Sequence, residues 1–140
     1  MPRKKRNQDN PGQVIIPVNH PSPPEQHEID AAWILARYYK CTVEFLTPVD
    51  DYMRKTADII MFGVQWEIKS PIGASKSTIG NQFSLAKKQS KNIIIDTRRT
   101  ALEYDKIEKK AIIEAKKRPN TKRIILIDKF ENVVEISKLL

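Results

Sequence analysis

The chain has 140 residues, 40% of them apolar, which fits one compact domain with a single core. Its formal charge of +8 favours a polyanionic partner, most often nucleic acid. The single cysteine excludes an internal disulfide. No apolar run is long enough to span a membrane, and no apolar segment follows the basic N-terminus as it would in a signal peptide. We therefore expect a cytoplasmic protein without a membrane partner.

The beginning of the chain combines basic residues with many prolines, which remove backbone donors and fix φ. We predict that residues 1–24 are a flexible or extended arm and that residues 25–140 form one domain. A helix is predicted over Glu25–Tyr39, because apolar residues recur there with helical spacing. Its predicted apolar face consists of Ile29, Ala32, Trp33 and Ala36.

Strands and helices alternate along the rest of the chain. The predicted strands are Cys41–Pro48, Asp58–Phe62, Val64–Lys69, Asn92–Arg98, Arg123–Asp128 and Val133–Ile136, and the further helices are Thr78–Ser90 and Glu103–Lys117. The continuous apolar run in Asn92–Arg98 is typical of a central strand. The order α-β-β-β-α-β-α-β-β predicts an α/β fold with a mixed (α+β) sheet, because strands joined through helices pair in parallel while a hairpin is antiparallel.

The predicted hairpin around Gly63 carries an unusual set of charges. Because strand side chains alternate between faces, Glu67 and Lys69 share one face and the residues between them enter the core. A two-residue turn at Phe62–Gly63 would place Asp58 opposite Glu67, although phenylalanine is not favoured in such a turn. The sequence therefore predicts two carboxylates and an amine at one end of the hairpin.

Two neighbouring carboxylates repel each other, and a divalent cation relieves that repulsion. Oxygen ligands suit Mg²⁺, so Asp58, Glu67 and the backbone carbonyl of Ile68 are the predicted metal ligands. Lys69 would stabilise negative charge on a phosphate. The same D-x₈-E-x-K pattern also occurs on ordinary polar-faced strands of basic proteins, and this alternative stays open on spacing alone.

The segments "HEIDAAWILA", "ADIIMFGVQWEIKSPIG" and "NQFSLAKKQSKNIIIDTRR" together resemble a known family. Asp58 with Glu67-Ile68-Lys69 is similar to the motif of the PD-(D/E)xK nuclease superfamily, which has a restriction-endonuclease-like core. The wider stretch, roughly residues 25–130, resembles the C-terminal tRNA nuclease domain of CdiA-type contact-dependent growth-inhibition toxins. The run W-E-I-K-S-P-x-G is the most specific part of the resemblance.

The resemblance implies a Mg²⁺-dependent endonuclease that hydrolyses RNA, with tRNA as substrate and a cognate immunity protein as partner. It implies metal-binding roles for Asp58 and Glu67 and a catalytic role for Lys69. It adds Glu28 from the first helix as a further catalytic acid, and Gln82 as a polar residue of the following helix. A DNA endonuclease of a mobile element and a non-catalytic nucleic-acid-binding module are the alternatives.

Further polar residues are candidates for phosphate binding. Arg98 and Arg99 follow a predicted strand end, where they would hold phosphate or serve only as surface charges. Ser75, Ser77 and Thr78 lie at the start of the predicted second helix, where a phosphate site and plain helix capping are both consistent with the sequence. Ser70, next to Lys69, is a further candidate for substrate binding. His27 is a candidate metal ligand beside the first helix, but a solvent-facing role is the more ordinary one.

Overall fold

A mixed sheet connects the parts of the chain described by the computed structural model, which are residues 11–18, 22–47, 57–73, 92–117 and 123–139. Its strands are β1 (Gln13–Ile15), β2 (Thr42–Phe45), β3 (Ile59–Met61), β4 (Val64–Lys69), β5 (Asn92–Asp96), β6 (Arg123–Ile127) and β7 (Val133–Glu135). The described helices are α1 (Gln26–Tyr39), α2 (Tyr104–Lys116) and a 3₁₀ turn, Ile136–Leu139. The predicted helix Thr78–Ser90 lies outside the described residues.

The strands follow one another across the sheet in chain order, from β1 to β7. β1 pairs with β2 in parallel, and β4, β5 and β6 are parallel to one another, while the remaining neighbours are antiparallel. The predicted mixed sheet and the internal position of β5 are confirmed. None of the helices in the described ranges is long and apolar enough to cross a membrane.

Strand β1 was not predicted, because the prolines around it favoured an arm. Its residues are extended, as expected, but they form an edge strand whose Gln13 pairs with Thr42. Gly12 precedes it with a φ of +96°, and a Cβ there would lie 2.5 Å from the carbonyl oxygen of Ala36. Glycine is therefore required where the chain passes the end of α1.

Helix α1 begins with a capping box formed by Glu25 and Glu28. The side chain of Glu25 accepts from the backbone of Glu28, and the backbone N–H of Glu25 donates to Glu28 Oε1 at 2.8 Å. The buried face is Ala31, Ala32, Ile34, Leu35 and Ala36. The predicted face is thus partly wrong, because Ile29 and Trp33 are only half-buried at its margin.

Two apolar layers cover the two faces of the sheet. One lies under α1 and includes Trp66, Ile68 and Ile94. The other lies under α2 and includes Ile93 and Ile95. Successive residues of β5 are therefore buried on opposite faces, which explains its unbroken apolar run.

The predicted hairpin register is confirmed, since Met61 pairs with Val64 and Ile59 with Trp66. Phe62 and Gly63 form the turn with φ angles of +59° and +74°. Positive φ at both central positions matches the right-handed twist of the flanking strands. A left-handed conformation costs a residue with a Cβ about 1–2 kcal/mol, so Phe62 is placed there against its intrinsic preference.

Candidate active site at the end of the hairpin

Asp58 is fixed by three hydrogen bonds at the point where the chain enters β3. Its N–H donates to the Trp66 carbonyl at 3.0 Å, and its carbonyl accepts from the N–H of Leu46 at 2.9 Å. Its Oδ2 accepts from the N–H of Ile68 at 2.8 Å. The side chain thus replaces a backbone acceptor beyond the end of the regular β3–β4 ladder, which holds the carboxylate against β4.

Glu67 lies beside this carboxylate and is almost completely buried, with 2% of its surface exposed. Glu67 pairs with Ile93, and Lys69 with Ile95, so both side chains lie on the α2 side of the sheet. Lys69 Nζ is 2.9 Å from Glu67 Oε2. Glu67 Oε1 is buried and has no hydrogen-bond partner.

Burial, the largest cause, and the negative charge of Asp58 together raise the pKa of Glu67 to about 8, although Lys69 opposes both effects. The direction follows from desolvation, since a carboxylate loses its hydration in the sheet interior and faces a second carboxylate. In the absence of a cation, Glu67 is therefore protonated at neutral pH. A strongly shifted acid beside a second acid is typical of functional sites.

The donor set at this position fits a hard divalent cation. The N–H and C=O of one strand residue point to the same neighbouring strand, and the N–H of Ile68 points to Asp58. The Ile68 carbonyl therefore faces the same side as Asp58. Together with the unpartnered Glu67 Oε1, this gives oxygen ligands of the kind that Mg²⁺ accepts.

Glu28 does not join these two carboxylates in the structure. Its Oε1 caps α1 through the N–H of Glu25. Within the described ranges, no three His, Cys, Asp or Glu side chains form a group able to hold a metal ion. The metal-binding roles of Asp58, Glu67 and the Ile68 carbonyl and the catalytic role of Glu28 therefore stay predictions.

The arginines after β5 are engaged in internal contacts. Arg98 binds the fully buried Asp96 through two nitrogens, at 2.8 and 2.7 Å, and donates to the His27 carbonyl at 2.9 Å. Arg99 Nη1 lies 2.9 Å from His27 Nε2. Arg98 thus connects the start of α1 to the end of β5, and its positive charge is already paired with Asp96 in the absence of a phosphate.

Of the remaining predicted substrate-binding residues, the structure describes only some. The Ser70 hydroxyl, next to Lys69 in the chain, is buried with no hydrogen-bond partner. Thr78 and Gln82 lie outside the described residues. His27 contacts Glu25, its Nδ1 being 3.5 Å from Glu25 Oε2, in addition to Arg99.

A cleft on the α1 side of the sheet was not anticipated. It has a volume of about 140 Å³. It is lined by Asp30, Trp33, Ile34, Arg37, Arg98 and Glu131. Asp30 and Arg37 are spaced by two helical turns, which is a local signal, but Glu131 comes from the distant β6–β7 turn. No local pattern in the sequence brings that turn to α1.

Comparison with known proteins agrees with this fold. The chain is similar over 89% of its length to a solved chain of a CdiA-CT/CdiI toxin and immunity complex from Burkholderia pseudomallei, with a TM-score of 0.65, 18% sequence identity and 98% of that chain covered. No curated protein sequence matches the chain. The family model for the contact-dependent growth inhibition CdiA C-terminal domain matches residues 55–133, which include Asp58, Glu67 and Lys69. The chain therefore belongs to the CdiA C-terminal domain family of contact-dependent growth inhibition.

Proposed function

We propose that the chain is a toxin domain that acts as a divalent-metal-dependent nuclease of the PD-(D/E)xK type, hydrolysing phosphodiester bonds in RNA, with tRNA as its substrate. The observation that carries the proposal is the buried Glu67 Oε1, which lacks a partner although the Asp58 carboxylate is fixed beside it. Burying a polar atom without a hydrogen-bond partner raises the free energy of the folded protein, and a bound cation would remove that penalty. The +8 charge and the family membership support a polyanionic substrate.

The ligands in this proposal are the carboxylates of Asp58 and Glu67 and the carbonyl of Ile68. A bound cation would polarise the phosphodiester and lower the pKa of an attacking water. The chain's own residues supply the positioning. Backbone hydrogen bonds hold Asp58, and the core packing of Trp66 and Ile68 holds the Glu67 backbone.

Lys69 supplies positive charge at the same place. Its Nζ contacts Glu67 Oε2, and its side chain is 20% exposed, so it is accessible from solvent at the end of β4. An ammonium fixed in this way stabilises negative charge that develops on phosphate oxygens in the transition state. We assign Lys69 this electrostatic role because its Nζ lies 2.9 Å from Glu67 Oε2, beside the proposed cation ligands.

A cognate immunity protein belongs to the same proposal. Its support is the fold likeness to a chain solved as part of a toxin and immunity complex. Binding of such a partner would inhibit the nuclease.

The deciding experiment incubates the protein with a tRNA pool and, in parallel, with plasmid DNA, in Mg²⁺ or in EDTA. Wild type is compared with Glu67→Gln, which retains the shape of the protonated side chain, and with Gln65→Ala, a change at an exposed position on the same face of β4. We expect metal-dependent tRNA cleavage by wild type and Gln65→Ala only. Equal cleavage by Glu67→Gln, or cleavage in EDTA, contradicts the site. Cleavage of plasmid alone identifies a DNA endonuclease, and binding without cleavage a non-catalytic module.

A further inference from the structure

The hairpin turn places an aromatic side chain where the backbone disfavours one. Phe62 has a φ of +59°, and 43% of its surface is exposed. Glycine, asparagine and aspartate are the usual residues of such a turn, since they tolerate positive φ. A bulky residue kept in this conformation is a genuine outlier, and outliers of this kind concentrate at functional positions.

The Phe62 ring packs against Arg123, whose guanidinium is held by an ion pair with Glu135. The Arg123 guanidinium carbon lies 5.2 Å from the centre of the Phe62 ring and 5.1 Å from that of Trp66. Glu135 fixes Arg123 through two hydrogen bonds, at 2.8 and 2.7 Å, and in turn accepts from Ser137 Oγ at 3.0 Å. The ring is thus held in one orientation before any partner arrives.

Neighbouring aromatic residues extend this surface. Tyr39 meets Phe62 edge-on, with ring centres 4.9 Å apart, and Tyr38 meets Tyr39 edge-on at 4.8 Å. Tyr38 is 59% exposed and Val64 is 39% exposed. We name Tyr38, Phe62 and Val64 the hairpin patch. The exposed cation Lys40 follows the two tyrosines in the chain.

The geometry points to a nucleotide-binding surface, in which an unpaired base of the RNA substrate stacks on Phe62. Aromatic faces next to cations bind single-stranded RNA by stacking and by phosphate attraction, and stacking needs a rigid exposed ring. This inference rests on the proposed RNA nuclease function. The proposed stacking contact lies away from the candidate active site. The turn and Lys69 are at opposite ends of β4, which is roughly 17 Å long at 3.3 Å per residue.

The test measures RNA binding without cleavage. Fluorescence anisotropy would follow a labelled tRNA pool and a labelled single-stranded oligonucleotide, in EDTA and in the Glu67→Gln background. Phe62→Gly is the informative change, because glycine relieves the backbone strain while it removes the ring. We expect affinity to fall about tenfold or more, as for the loss of one stacked base. The urea midpoint should show little loss, because relieved strain offsets lost packing. Phe62→Tyr, which retains the ring, should bind like the parent protein.

A second variant tests the adjacent cation. Lys40 has a φ of +52°, which asparagine tolerates, so Lys40→Asn removes charge and preserves the helix end. The slope of log affinity against log salt should decrease by about one. RNA binding that is unchanged in Phe62→Gly overturns the inference and leaves the nuclease proposal intact, and the surface then suits a protein partner. Cleavage assays with wild type decide the nuclease proposal separately.

Discussion

The Asp58 carboxylate accepts a hydrogen bond from the backbone N–H of Ile68, with 2.8 Å between Oδ2 and the nitrogen. The contact joins residues ten positions apart and places the acid beside Glu67, which follows Trp66 in β4. A charge held by backbone donors does not reorganise during a reaction, and such preorganisation is the largest electrostatic contribution in many enzymes.

Asp58→Asn and Asp58→Ala should differ in stability but agree in activity. Asparagine retains an oxygen acceptor for the Ile68 N–H, whereas alanine leaves that donor without its partner, at a cost of about 1–3 kcal/mol. Both changes remove the charge that would bind the cation, so both should abolish cleavage. Urea unfolding and the tRNA assay measure the two effects. Equal stability of the two variants would show that the hydrogen bond to Ile68 contributes nothing.

Glu67 makes the stability of the metal-free protein depend on pH. Its pKa rises from 4.5 to about 8 on folding, so between these values the folded state keeps a proton that the unfolded state has released. The free energy of unfolding should be highest below pH 4.5, fall with rising pH by at most about 1.4 kcal/mol per unit, and level off above pH 8.

Glu67→Gln should flatten this dependence and should be more stable than wild type at pH 8.5. The measurement is urea unfolding in EDTA at pH 5, 7 and 8.5, with Gln65→Ala as the control that keeps the wild-type slope. The same decline in Glu67→Gln as in wild type would assign the pH dependence to other groups.

Cation binding should be linked to the same proton. The cation needs the Glu67 carboxylate, so binding near pH 7 displaces a proton, and the apparent affinity should rise about tenfold per pH unit up to about pH 8. Calorimetry with Mn²⁺ or Mg²⁺ in two buffers of different ionisation enthalpy reports that proton. Glu67→Gln should bind weakly and without proton release. An affinity that is constant between pH 6 and 8 argues against binding at Glu67.

Lys69→Met should lower kcat for tRNA cleavage by about 10²- to 10³-fold, the usual loss when one charge-stabilising donor is removed. Lys69 also lowers the pKa of Glu67, so the acidic limb of the pH–rate profile should move to higher pH. Lys106→Met is the matched control, because it removes one positive charge at an exposed position on α2. A profile that keeps its position would mean that Lys69 does not influence Glu67 during turnover.

Arg98→Met should act on stability more than on substrate binding. It leaves the fully buried Asp96 without its ion pair, and a broken buried pair costs about 3–5 kcal/mol. Arg99→Met removes an exposed charge and should change the free energy of unfolding little. If Arg98→Met were as stable as wild type but bound tRNA weakly, Arg98 would be a phosphate ligand after all.

The sequence determined those features that follow from local spacing. Alternating and continuous apolar runs located β4 to β6, and the 3.6-residue period located α1 and α2. The two-residue turn fixed the hairpin register, and alternation along β4 put Glu67 and Lys69 on one face. These results depend only on geometry within a few residues, which the chain itself encodes.

Only the tertiary structure decided how those residues are used. It buried Glu67 and raised its pKa, fixed Asp58 through Leu46 and Ile68, and engaged Arg98 with Asp96. It also turned part of the proline-rich segment into an edge strand. Each of these outcomes depends on desolvation or on contacts between residues distant in the chain. Local spacing in the sequence predicts neither the desolvation of a side chain nor its long-range contacts.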